Sequence, residues 1–131
     1  DEERLRAEGL VHPYKFVALG TAHDARFQGI LDAVSPLNMS VSSSRVDNLE
    51  VMMPGVDKGT ALLALADMLG IPREATAAIG DSENDRAMLA RAGVAAVMAN
   101  ALPEIRALGD IVSTRDNDHD GVAELFERLG L

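Results

Sequence analysis

The amino-acid sequence predicts an α/β fold: parallel βα units over its second part, preceded by a small antiparallel α+β lobe. Three observations carry that expectation. The hydrophobic period changes at Pro54-Gly55, from alternating positions before it to helical stripes interleaved with short apolar runs after it. Those runs, Ala75 to Ile79 and Val94 to Met98, hold no charge, as strands covered on both faces require. And 131 residues, 47% hydrophobic and 25% charged, suffice to bury a core, which argues against disorder, a collagen-like repeat or a coiled coil.

Taken in order, the first eight residues fit a short amphipathic helix that Gly9 ends, and Lys15 to Leu19 fit a strand stopped by Gly20. Thr21 is placed to cap a helix from about Ala22. In it Phe27, Ile30, Leu31 and Val34 recur at i, i+3, i+4, i+7 as one buried stripe before Pro36. Leu37, Met39 and Val41 then alternate with polar residues, as do Leu49, Val51 and Met53, predicting two half-buried strands joined by a turn at Arg45 to Asn48. A domain boundary is expected here, dividing residues 1–53 from 54–131. Beyond it, a helix from near Lys58 carries the stripe Leu62, Leu65, Ala66, Leu69 and ends at Gly70, with Pro72 just after. The Ala75 to Ile79 strand runs into Gly80-Asp81, and a helix from Glu83 to Ala92 closes on Gly93. A second strand, a helix from Leu102 to Leu108 with Pro103 in its first turn, a third strand at Ile111 to Ser113, and a last helix marked by Val122, Leu125, Phe126 and Leu129 complete the chain.

Charge and composition exclude several functions. Twelve Lys and Arg against 21 Asp and Glu give a net charge of -9 and a pI near 4.6, the wrong sign for nucleic acid or an anionic membrane surface. No apolar run approaches the roughly 18 residues of a membrane span. The absence of cysteine excludes disulfides and thiolate zinc sites. Nothing suggests an oxidising compartment, so a cytoplasmic location is expected. The start at Asp1-Glu2-Glu3 shows neither an initiator methionine nor a signal-peptide pattern, so a piece of a longer chain is expected.

The chemistry concentrates in Gly80-Asp81-Ser82-Glu83-Asn84-Asp85, where a buried strand gives way to a helix, the place at which open α/β sheets bind ligands. Two carboxylates four residues apart with an amide between them match what magnesium asks of a protein: one or two carboxylates, completed by waters and phosphate oxygens. Lys58, opening the preceding helix, adds a positive charge beside such a phosphate. Equally, Asp81 and Asp85 can cap the next helix and serve its dipole, and spacing alone does not separate the two readings.

Gly55-Val56-Asp57-Lys58-Gly59, then Gly80 to Asp85 with Met88-Leu89 behind, then Ala99-Asn100-Ala101 and Asp120-Gly121-Val122, resemble in order and spacing the C-terminal half of a Cof-type phosphatase of the haloacid dehalogenase superfamily. The likeness covers essentially the whole chain, with Lys15 to Met53 similar to the second part of that family's inserted α+β cap (cap class IIB). It implies a partial Rossmann-like core with parallel strands and a magnesium-dependent phosphatase of small phosphorylated metabolites such as sugar phosphates. It also implies roles: Lys58 steadies the phosphoryl group, Asp81 binds magnesium, and Asn84 and Asp85 complete or orient the metal shell. Asn100 is a weaker substrate-binding candidate, as are Arg45 and Asn48 at the cap hairpin.

The sequence departs from that family in one respect. Its members attack phosphorus with the first aspartate of a DxDGT-like motif, and no such motif occurs here; Asp118-His119-Asp120-Gly121 lacks the threonine and lies past the third strand. The expectation is half of a phosphatase, inactive alone for want of a nucleophile. The Ala75 to Ile79 strand is then left as an exposed edge that self-associates or pairs with the N-terminal half. A non-catalytic pseudo-phosphatase, binding metal or phosphate or serving as an interaction module, is the alternative. A calcium loop is a weaker one: Asp116, Asp118, Asp120, Gly121 and Glu127 fit the EF-hand pattern, but a β-branched run precedes them where a helix is required. His12, His23 and His119 are too scattered for a metal triad.

Overall fold

Two sheets, one on each side of Pro54-Gly55, make up the computed structural model, which describes residues 2–9, 14–20, 25–45 and 47–131. Thr21, the Ala22 helix start, His12 and His23 lie outside the described residues. The first lobe holds α1 (Glu2–Ala7), β1 (Lys15–Leu19), α2 (Ala25–Val34), β2 (Ser40–Ser42) and β3 (Asn48–Met52). Its strands run antiparallel in the order β1-β3-β2, with Lys15 opposite Met52, Ser40 also opposite Met52, and Ser42 opposite Glu50.

Three expectations for this lobe need correction. Leu37 belongs to a 3-10 turn (Ser35–Leu37) opened by Pro36, and Asn38 follows at φ 51°, so the extended chain starts only at Ser40. β3 is the central strand, with Asn48, Leu49, Glu50 and Val51 all buried, so it is not half-buried. The α2 stripe of Phe27, Ile30, Leu31 and Val34 is half-buried with no fully buried member, because three short strands offer too small a face to cover it.

The second lobe contains α3 (Lys58–Leu69), β4 (Ala77–Gly80), α4 (Arg86–Arg91), β5 (Val94–Val97), α5 (Pro103–Arg106), β6 (Ile111–Val112) and α6 (Gly121–Leu129). The strands are all parallel in the order β4-β5-β6, with Gly80 opposite Val97 and Val97 opposite Val112. β5 supplies both cores: Ala95 and Val97 pack with Leu89, Ala101 and Ile105, whereas Ala96 and Met98 pack with Leu125. That is the two-sided burial its uncharged composition predicts.

α3 is tied down at both ends. Asp57 Oδ1 accepts from Thr60 N at 2.7 Å and from Arg91 Nη1 at 2.9 Å, and Gly70 takes the left-handed conformation (φ 66°) that ends the helix. Its expected stripe is only partly covered, however. Ala66 is buried and Leu62 packs on the core, but Leu65 is 55% and Leu69 63% exposed. β4 is the edge strand among the described residues, so nothing extends the sheet beneath that end of the helix, and a shallow apolar groove remains between them. Element lengths also differ: a 3-10 turn (Arg73–Ala75) delays β4 to Ala77, another (Glu83–Asp85) precedes α4, and α5 spans one turn.

Candidate active site at the end of the edge strand

Side-chain positions here follow from close backbone approaches. A Cβ on Gly59 would collide with the Ala87 carbonyl and Arg91 side chain, so glycine lets α3 lie tightly against α4. This brings Lys58, the first residue of α3, to the loop after β4, where its Nζ donates to Asp85 Oδ1 at 2.5 Å. Asp85 is buried, and its other oxygen accepts from the backbone amides of Asp81 (3.0 Å) and Ser82 (3.2 Å). A Cβ on Gly80 would stand 2.5 Å from the Asp85 Cβ, so Asp85 fits only because residue 80 is glycine.

Asp81, at the β4 end, accepts from Ser82 Oγ on Oδ1 and from Asn100 Nδ2 on Oδ2, each at 3.0 Å. Asn100 Oδ1 in turn accepts from the Asn117 amide at 3.2 Å. Lys58, Asp81, Asp85 and Asn100 are therefore linked by hydrogen bonds that run through the loop backbone. Lys58 and Asn84 also line a cavity of about 460 Å³ between the lobes, which Asp81 does not line.

Asp85 fixes Lys58 through Oδ1 and the Asp81-Ser82 backbone through Oδ2, so it orders the loop that carries Asp81. Arg45 pairs with Asp47 at 3.0 Å on the surface. Asn48 is buried, its Oδ1 accepting from Ser43 Oγ, Ser44 N and Arg45 N. Neither side chain lines the cavity. The EF-hand pattern follows β6 instead of a helix, and Asp116 Oδ1 is occupied by Asp118 N (3.0 Å) and His119 Nδ1 (2.5 Å). Among the described residues no cluster of three or more His, Asp or Glu gathers to hold a metal ion, at this loop or at Asp81.

The opposite wall of the cavity comes from residues that the motif reading passed over: Lys15, Ser40, Ser42 and Glu50. The available signal was Glu50 itself, a carboxylate between Leu49 and Val51 in an otherwise apolar strand.

The family model for haloacid dehalogenase-like hydrolases matches residues 11–126. The chain belongs to that family. Phosphatase YwpJ of Bacillus subtilis (strain 168) is 42% identical to it over 92 residues, covering 70% of this chain and 32% of that protein. A solved haloacid dehalogenase-like hydrolase from B. subtilis superposes with a TM-score of 0.80 at 33% identity, over 90% of this chain and 42% of that one. A subclass IIB sugar phosphatase of the superfamily shares the fold, with a TM-score of 0.81 at 20% identity over 95% of this chain and 46% of that one. The chain thus spans less than half the length of each of these relatives, and this haloacid dehalogenase-like hydrolase is of the Cof type. Among its described residues no helix is long and apolar enough to cross a membrane.

Proposed function

We propose that this chain supplies the phosphate- and cation-binding half of a magnesium-dependent phosphatase acting on small phosphorylated metabolites such as sugar phosphates. The observation that carries the reading is the Lys58–Asp85 pair, clamped to the backbone of the Gly80-Asp81-Ser82 turn at the end of a parallel strand. An ammonium held in this way is fixed before substrate arrives, so it stabilises charge on the transferring phosphoryl oxygens without reorganising. The B. subtilis relative is named a phosphatase and one structural neighbour a sugar phosphatase, which supports the substrate class.

The donors fit magnesium in part. Asp81 presents a hard carboxylate whose oxygens each accept one hydrogen bond and keep a further lone pair, and Asn84 stands nearby on the cavity wall. One carboxylate leaves the remaining positions to waters, phosphate and other protein groups, as magnesium commonly takes them. The bound cation supplies charge neutralisation at the phosphoryl oxygens. Asn100 holds Asp81 in place, and Asp85 holds Lys58.

The nucleophile comes from a DxDGT-bearing segment that these 131 residues do not contain, and the β4 edge, with the apolar groove beside it, is where that segment or a second copy of this chain pairs. In a polypeptide that supplies the segment, Lys58→Ala and Asp81→Asn each lower kcat by about 10²- to 10³-fold, the scale set by one preorganised electrostatic group. Full activity in Asp81→Asn would end the assignment. The missing motif also favours a second reading, a non-catalytic phosphate-binding module. Aryl phosphate hydrolysis in that longer polypeptide separates the two.

A further inference from the structure

The face of the antiparallel sheet that carries Lys15, Ser40, Ser42 and Glu50, together with Val17 and Met52, contributes these four polar side chains to the cavity wall. By register, Lys15 and Ser40 both stand opposite Met52, and Ser42 stands opposite Glu50, so Lys15, Ser40, Ser42, Glu50 and Met52 share a face; Phe16 and Val51 share the other. Lys15 Nζ donates to Glu50 Oε2 at 3.0 Å, while Glu50 Oε1 accepts from Ser44 Oγ at 2.8 Å and Asn48 Nδ2 at 3.3 Å.

The charges on the lining are all matched: Lys15 with Glu50, Lys58 with Asp85, Arg86 with Glu83, and Arg91 with Asp57. Among the described residues no aromatic side chain lines the cavity to stack on a heteroaromatic ring. What remains are hydrogen-bonding groups at fixed positions. Glu50 Oε2 keeps one acceptor site beyond its bond from Lys15, Lys15 is 44% exposed at its side chain with donors to spare, and Ser40 and Ser42 can do both.

We infer that Glu50, held by Lys15 and flanked by Ser42, is the specificity-determining group for the leaving-group end of the substrate, which it reads through hydroxyl groups while the phosphate sits at Lys58. The inference rests on the phosphatase reading above. A carboxylate already held in place accepts a substrate hydroxyl at little ordering cost, and a ligand lacking that hydroxyl leaves a part-buried charge pair poorly solvated.

Titrations of the 131-residue chain followed by NMR chemical shifts, with glucose 6-phosphate and with n-hexyl phosphate in the presence of magnesium, test this. The expected result is at least about fivefold tighter binding of the sugar phosphate, the discrimination of a site built to bond hydroxyls. In Glu50→Gln/Lys15→Met the ratio falls to about one, and in Ser42→Ala, which keeps the charge pair and serves if the double variant does not fold, it falls part of the way. A ratio near one in the parent chain, or one unchanged in the variants, overturns the subsite. Lys58→Met weakens both ligands if the phosphate site is right; binding that ignores this substitution overturns the phosphatase reading and the subsite together.

Discussion

Asp85 serves three groups with two oxygens, and its removal affects all three. Asp85→Ala leaves the Lys58 ammonium without its partner and the Asp81 and Ser82 amides without an acceptor. A loss of about 1–3 kcal/mol is expected, the cost of leaving part-buried polar groups unmade, and urea unfolding measures it. An unchanged midpoint would mean that the loop is held by something else. Gly80→Ala leaves every charge intact but pushes Asp85 out of its seat, so it lowers stability by about 1–3 kcal/mol as other overpacked sites do and abolishes Lys58-dependent phosphate binding. Glu50 gives a pH signature. Burial alone would raise its pKa, but hydrogen bonds from Lys15 and Ser44, the Lys15 charge and the Asn48 bond outweigh that and hold it below the usual glutamate range. Its stabilising contribution is therefore complete above the unfolded-state pKa and disappears as pH falls through the lowered folded value. The stability advantage of the parent chain over Glu50→Gln should shrink on acidification; a pH-independent difference would contradict the pairing.

Elements differ in how much of them was legible beforehand. β1 was readable to the residue, because Lys15 and Gly20 bound an apolar run, and α3 was readable in extent, from Lys58 to its end at Gly70, whereas its Asp57 cap was not singled out. The uncharged runs also placed β4 and β5, and β5 is buried on both faces as such a run predicts, whereas β4 at the sheet edge leaves Ala77 exposed. Periodicity failed where the answer depended on neighbours. Glu50 and Asn48 look like the solvent side of a half-buried strand until β1 and β2 pair on both sides of β3 and their side chains find each other. The α3 stripe looks like core until the sheet ends at β4, leaving Leu65 and Leu69 uncovered. Within the candidate site, the Lys58 and Asp81 positions were legible through motif spacing, whereas the Lys15 and Glu50 wall was not, since only the fold brings residues 15 and 50 to the residue 58 loop. The uncovered groove predicts concentration-dependent association of this chain, weakened by Leu69→Lys. Light scattering that shows a monomer at every concentration would contradict pairing between copies at the β4 edge.

At the scale of the whole molecule, two lobes enclose one cavity. The second lobe brings the Lys58 ammonium, held by Asp85, to its wall, and the first lobe brings Lys15, Ser40, Ser42 and Glu50. On the proposed reading, phosphate is held at one wall and the leaving group is selected at the other, so substitutions at Lys58 and at Glu50 should act on different properties of the ligand. Among the described residues no strand pairs with the open edge of β4, and the proposed reading assigns the attacking aspartate to a segment outside these 131 residues. The most direct measurement is phosphate release from an aryl phosphate by the purified chain, with and without magnesium, beside Asp81→Asn. The account predicts no release above the variant under either condition. Release that requires both magnesium and Asp81 would contradict it and place a nucleophile within these residues, with Asp118 and Asp120 the first to substitute.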